Sequence, residues 1–172
     1  LLRRNTITGR LYKDDPTIMG WDLMNEPRNP GGAMGWKLRN WIEEMFGYIK
    51  SIAPDQLVTT GMEGFFGLST PLKMKANNPG LDWQYWACQG TDFHSQHDIP
   101  TIDFTVAHLY PTDWLPESCA GDKYCQMLFA QSWTDAHIEQ AQQLGKPFVL
   151  EEFGYATPGQ ASNADREEYF KL

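Results

Sequence analysis

The sequence predicts a parallel α/β architecture. Strand and helix patterns alternate along most of the chain, the strand candidates are apolar enough to be covered on both faces, and two of them run into carboxylates. Alternation with buried strands is what a parallel sheet with helical crossovers produces. The order read from the residues is strand–helix–strand–irregular–strand–helix–strand–helix.

Leu1–Tyr12 reads as the tail of a helix, and Lys13-Asp14-Asp15-Pro16 as the turn that follows. Thr17–Met24 is a strand, left through a loop containing Pro27, Pro30, Gly31 and Gly32. Met34–Ile52 is helical, because Leu38, Trp41, Ile42, Met45, Phe46 and Ile49 recur at three- and four-residue steps; Pro54 ends it. Leu57–Thr60 is a short strand. Gly64 to Pro100 is irregular, and a structureless loop of that length is uncommon in a compact domain, so short helices are expected within it. Ile102–Leu109 is a strand closed by Tyr110-Pro111. Gln126–Leu144 is a helix with Leu128, Phe129, Trp133, Ala136 and Ile138 on its apolar face and Gly145 as its C-terminal cap. Phe148–Glu152 is the last strand, and Ala164–Leu172 begins a helix behind the candidate cap Asn163.

Four strands are half of what a (β/α)₈ barrel needs, and such a barrel usually takes about 250 residues. An open doubly wound sheet suits 172 residues better, but the glycine-rich nucleotide loop of that fold is missing. The choice passes to the motifs.

A net charge of −8 without lysine or arginine runs argues against nucleic acid and anionic membrane surfaces as partners. No apolar run approaches the roughly 20 residues of a membrane span. With seven Trp, seven Tyr and nine Phe, a neutral partner that stacks on rings is the simplest expectation. The chain does not start with Met and carries no signal peptide, so either one was removed or the sequence is a fragment. Cys119 and Cys125 flank five residues in which Gly121 permits a tight turn. They are a disulfide candidate, and a bridge there would imply an oxidising compartment. Cys88 is left over and is expected to be a buried thiol, the alternative being a bond to a segment outside this chain. Zinc is not expected: there is no Cys-x-x-Cys pair, and the four His are scattered.

The chemistry centres on Trp21–Asp22–Leu23–Met24–Asn25–Glu26–Pro27–Arg28 and Lys146–Pro147–Phe148–Val149–Leu150–Glu151–Glu152–Phe153–Gly154, each an apolar run ending in a carboxylate. Two carboxylates brought by different strands to one rim are what glycosidic-bond cleavage requires. Strict alternation puts Leu150 and Glu152 on one face and Val149 and Glu151 on the other, so one glutamate should point inward, and pattern alone does not decide which. His108 and Tyr110, two apart at another strand end, can both donate to a carboxylate or a sugar hydroxyl; the plainer alternative is a packed core pair. Trp114 on the following loop is a candidate sugar platform or a local packing anchor.

Tyr12–Ile18 running into Trp21–Arg28 resembles the fourth-strand segment of the endo-β-1,4-mannanases of glycoside hydrolase family 5. Gly61–Gly67, Gly90–Phe93, Ile102–Trp114, His137–Glu139 and Gly145–Gly154 follow in the order of that family. The resemblance covers nearly the whole chain. It implies part of a (β/α)₈ barrel running from the third helix to the seventh, without the first three strands and the last, so that residues 1–172 are a partial catalytic domain. It further implies retaining endo-hydrolysis of β-1,4-mannosidic bonds in mannan, glucomannan or galactomannan, by a secreted, monomeric enzyme needing no metal or cofactor. Glu26 maps to the acid/base and Glu152, rather than Glu151, to the nucleophile. Asn25 maps to a sugar-hydroxyl contact, His108 and Tyr110 to the groups that orient the glutamates, and Trp114 and Glu63 to the substrate cleft. The competing expectations are a family 5 β-glucanase and a catalytically silent carbohydrate-binding relative. A half-barrel exposes strand edges, so this stretch alone is expected to be inactive.

Overall fold

A computed structural model describes residues 1–32, 35–80, 83–119, 121–155 and 163–171, without the side chains of Trp83 and Asn163. The strands are β1 (Gly20–Asp22), β2 (Leu57–Thr59), β3 (Thr105–Leu109) and β4 (Phe148–Phe153). The helices are α1 (Trp36–Ile52), α2 (Pro71–Asn77), α3 (Trp83–Ala87), α4 (Phe93–His97), α5 (Pro111–Trp114), α6 (Lys123–Leu144) and α7 (Asn163–Tyr169). The predicted alternation holds, and three short helices fill the irregular stretch.

All pairing between these strands is parallel, β1 with β2 and β3 with β4. The two ribbons are stitched together: Asp103 N–H donates to Val58 O at 3.1 Å, and His108 N–H donates to Glu63 O at 2.9 Å. Thr59 Oγ1 adds a bond to Phe104 O at 2.9 Å. The chain therefore presents its four strands in sequence order along one curved wall, with their carboxyl ends on one rim.

Helix α1 covers that wall as its periodicity predicts. Leu38, Ile42 and Phe46 are buried against Val58, Met62 and Val106, with Trp41 and Ile49 at the margin. Helix α6 obeys a different logic. Its buried positions include Gln126, Ala130, Trp133, His137, Gln140 and Ala141, whereas the expected face residues Leu128 and Ile138 are 49% and 39% exposed. The polar members are buried because they are hydrogen-bonded: His137 reaches Gly64 O at 2.7 Å, Gln140 meets His94, and Gln126 donates to Cys119 O. Asp122 caps the start of α6 through Cys125 N–H, and Gly145 closes the end in the left-handed region.

Other expectations are corrected. Leu1–Tyr12 is not helical: an Arg4–Leu11 bridge closes it, because Asn5 Oδ1 accepts from Ile7 and Thr8 N–H and Gly9 turns at φ +72°. Thr17–Met24 is a strand over only Gly20–Asp22, and it is not covered on both faces. Strand β1 lies at a sheet edge, so Met19 and Met24 on either side of it remain exposed. Cys88 is exposed, not buried, since it lies just beyond α3 at the surface. Helix α7 starts at Asn163 itself rather than after it, and the capping role of its side chain lies outside the described residues.

Candidate active site

Glu26 leaves the end of β1 in an unusual backbone state. At φ +46° it is the one non-glycine residue with positive φ among the described residues, a conformation that persists only where its surroundings hold it. One holding contact is its N–H, which donates to Gly61 O at 2.7 Å. The strain turns the Glu26 carboxylate over the end of β3, where His108 Nδ1 lies 2.9 Å from Oε1.

His108 is almost completely buried and joins both halves of the site. The same Nδ1 is 3.4 Å from Glu152 Oε2, and Nε2 is 3.8 Å from Glu151 Oε2. Trp133 Nε1–H donates to the His108 carbonyl at 2.9 Å, so the wall helix α6 fixes the backbone under the imidazole. Burial works to lower the His108 pKa, but hydrogen bonds to Glu151 and Glu26 outweigh it and the group is raised. Tyr110 donates its hydroxyl to Glu152 Oε2 at 2.9 Å. Burial, then Glu152, raise the phenol and keep it a donor.

One ligand-type atom from each of Glu26, His108 and Glu152 lies within 4.8 Å of the others. A cation could use such a trio. All three groups are engaged with one another or with Tyr110, however, and the arrangement fits proton transfer.

The Glu151/Glu152 ambiguity has a structural answer. Strand β4 pairs with β3 in register up to Ala107–Leu150, slips, and resumes at His108–Glu152, leaving Glu151 as the extra residue of a bulge. The bulge breaks the alternation assumed from sequence. Leu150 packs with Phe65, Leu109 and Trp133, whereas Glu152 faces His108 and Tyr110. Leu150 and Glu152 thus do not share a face, and Glu151 is not turned away: both glutamates reach the imidazole. Gly154 follows because a Cβ there would stand 2.7 Å from the Tyr110 ring.

Asn25 is exposed beside Glu26. Glu63 has no exposed side-chain surface; Arg28 clasps its Oε1 through Nε at 2.7 Å and through Nη2. Burial raises the Glu63 carboxyl while Arg28 opposes it. Glu63 therefore anchors Arg28, whose guanidinium lies 5.9 Å from the Trp86 ring centre, rather than lining an open surface. Trp114 is half-buried within 5.0 Å of Phe65 and 5.5 Å of Trp133, which is the packing-anchor alternative. Cys119 and Cys125 are disulfide-bonded.

Sequence reasoning missed Asp22, whose carboxyl is raised to about 6 by burial and by Glu151. Asp22 stands in the same strand-end string as Glu26, but its nearness to Glu151 depends on the bulge of β4, which the sequence does not announce.

Comparison with known proteins assigns the chain to a family. The chain is 43% identical to mannan endo-1,4-β-mannosidase 7 of Arabidopsis thaliana, over all of its own length and 39% of that protein. It is 46% identical to mannan endo-1,4-β-mannosidase 5 of Solanum lycopersicum over 94% of its length and 37% of the relative's. The chain thus spans about two fifths of the length of the relatives it matches. The solved endo-β-1,4-mannanase of Thermotoga petrophila superposes with a TM-score of 0.83 and 33% identity, over 99% of this chain and 34% of that one. The endo-1,4-β-mannanase of Rhizomucor miehei gives 0.72 and 34%, over 92% and 42%. These neighbours are (β/α)₈ barrels, and the wall described above is part of such a barrel. Residues 1–171 match the pattern described as GH family 5 beta-mannosidase-like, and the chain belongs to that family.

Proposed function

We propose that this chain carries the catalytic pair of a retaining endo-β-1,4-mannanase acting on mannan, glucomannan or galactomannan. The observation that carries the reading is the closeness of Glu26 and Glu152, oxygen to oxygen within 4.8 Å and bridged by His108. Retaining glycosidases hold their carboxyl groups about 5–5.5 Å apart, while inverting enzymes leave about 6.5–9.5 Å for a water. The named relatives support mannan as the substrate.

Glu152 attacks the anomeric carbon, and the Tyr110 hydroxyl on its Oε2 directs the other oxygen at the sugar. Glu26 gives its proton to the departing glycosidic oxygen and later takes one from the water that releases the glycosyl-enzyme. His108 lies between them and eases the repulsion of two carboxylates at this distance. Asn25 contacts a sugar hydroxyl near the bond that breaks, and Arg28, held by Glu63 and Trp86, extends the polar lining. Both glutamates come from one chain, so the catalytic pair needs no second subunit, and the full-length enzyme is proposed to act as a monomer. The disulfide supports a secreted, extracellular location. No helix among the described residues is long and apolar enough to cross a membrane.

The test is Glu26→Ala in the full-length protein. Mannan hydrolysis should fall at least about a hundredfold, the usual worth of general acid–base catalysis. An activated aryl mannoside needs no protonation to leave, so its glycosyl-enzyme should still form and build up. Added azide should release a β-mannosyl azide. Near-parent activity on mannan would remove Glu26 from the mechanism, and faster hydrolysis of cellulose than of mannan by the parent would replace the substrate with a β-glucan.

A further inference from the structure

Trp133 takes no part in the double displacement, yet its indole is tied to the backbone of the residue that joins the two glutamates. It sits in the middle of α6 with no exposed surface. Phe65, Phe66, Trp114 and Phe129 fence its ring at 5.5–6.0 Å between centres, so packing sets its orientation. Its Nε1–H donates to His108 O at 2.9 Å, and His108 N–H donates to Glu63 O at 2.9 Å. Gly64, next in the chain, brings its carbonyl 2.7 Å from Nε2 of His137, one turn along α6 from Trp133. The circuit closes: α6 grips the end of β3 through Trp133 and the segment after β2 through His137, and those two segments grip each other. Glycine stands at 64 because a Cβ there would lie 2.7 Å from the Ala107 Cβ and 2.8 Å from His137 Nε2. The grip falls where the sheet gives least support. Pairing of β3 with β4 slips between Ala107 and His108, so no regular ladder dictates where His108 stands. A buried carbonyl that loses its donor must shift to find another or stay unsatisfied, and the imidazole shifts with it.

We propose that Trp133 is a positioning residue: its indole N–H holds the His108 carbonyl and thereby sets the imidazole between Glu26 and Glu152. This rests on the function proposed above and adds to it the group that places its central histidine. His108 Nδ1 stands 2.9 Å from Glu26 and 3.4 Å from Glu152 at once. A small displacement therefore brings it nearer one carboxylate and takes it from the other. Misplacement by about 1 Å in an active site can cost roughly a hundredfold in rate. The same indole backs Trp114, whose ring meets that of Tyr110 edge-on at 6.0 Å, so the donor to Glu152 leans on the same support. Asn25 and Arg28 reach the sugar from the loop after β1, so loss of the indole N–H falls on turnover rather than on binding.

The experiment compares the full-length protein with forms altered at two places. In one, Trp133 is replaced by its benzothiophene isostere, which has sulfur where the indole has N–H. The others are Trp133→Phe and Phe129→Leu, the last of which loosens the same ring cluster without touching the bond. On each, kcat and KM for a mannan oligosaccharide, the melting midpoint and the His108 ring-proton NMR signals are measured. The isostere should lower kcat about tenfold, leave KM unchanged and shift the His108 signals, with only a small loss in melting midpoint. Trp133→Phe should lower kcat at least as far and melt earlier, while Phe129→Leu should melt earlier with the parent kcat. An isostere with parent kcat and unmoved His108 signals would overturn the proposal. So would a kcat in Phe129→Leu that falls as far as in the isostere, since packing would then carry the effect. Should neither Trp133 form fold, hydrogen exchange at the Trp133 indole N–H of the parent decides: protection matching the β3 backbone upholds the bond, and rapid exchange overturns it. If the parent leaves mannan intact while the His108 signals still follow the isostere, the functional reading fails and the positioning stands.

Discussion

Tyr110 gives one hydroxyl to one oxygen of Glu152, and that bond orients the carboxylate proposed as the nucleophile. Tyr110→Phe removes the donor and little else. A hydrogen bond to a charged group is worth about 1.5–3 kcal/mol, so kcat/KM should fall roughly ten- to a hundredfold while the thermal midpoint stays near that of the parent. Steady-state kinetics beside a melting curve check this, and a large drop in stability would mean that the ring acts mainly as packing. At this scale the sequence was informative where a residue's type restricts what it can do. Glu26, His108, Tyr110 and Glu152 were all singled out and all converge. Glu63 and Trp114 were not legible in the same way, because their burial depends on Arg28, Phe65 and Trp133, which approach from other elements.

Strand β4 and its turn show how an element can be identified while its facing is misread. The apolar run of Phe148–Phe153 marks a strand, but a bulge depends on how the partner strand pairs, and β3 carries no residue that announces it. Helix α6 hid its buried face for a related reason: His137, Gln140 and Gln126 are polar by type and buried by partnership. The loop beyond β4 has its own test. Gly154→Ala sets a Cβ 2.7 Å from the Tyr110 ring, and the ring must rotate away from Glu152 to make room. Activity should drop at least as far as in Tyr110→Phe, with only a modest change in denaturant midpoint; parent-like kcat/KM would show that Tyr110 can adapt. At the other end of the wall, Asp122→Ala removes the cap of α6 and should cost about 1 kcal/mol by chemical denaturation.

Across the whole molecule, two fully buried histidines tie stability to pH. Burial pushes His97 down to about 3 and His137 down to about 4, against 6.5 when unfolded. Both are therefore neutral in the fold and take up protons on unfolding. Their contribution is complete above about pH 6.5 and is lost as pH falls toward 3–4. In that window each histidine removes up to about 1.4 kcal/mol per pH unit. Denaturant melts from pH 7 to pH 4 should show this slope, and a flat response would contradict the burial. The raised His108 has the opposite sign: its contribution is fully present below about pH 6.5 and is lost as pH rises through its folded value, above the window in which His97 and His137 act. Reduction of Cys119–Cys125 should cost about 2 kcal/mol. The parallel α/β class was legible at this scale because alternation of strand and helix survives local errors. The choice between barrel and open sheet was not legible in the length, and it came from the order of the motifs.

The central claim is that Glu152, not its neighbour, makes the covalent bond to the sugar while Glu26 stands opposite as acid and base. The most direct measurement is mass spectrometry of the full-length protein after incubation with an activated 2-deoxy-2-fluoro-β-mannosyl oligosaccharide, whose fluorine slows release of the glycosyl-enzyme. One fluoroglycosyl adduct per chain is predicted, located by peptide sequencing on Glu152 within Phe148–Gly154. An adduct on Glu151, or inhibition without any covalent adduct, would contradict the account.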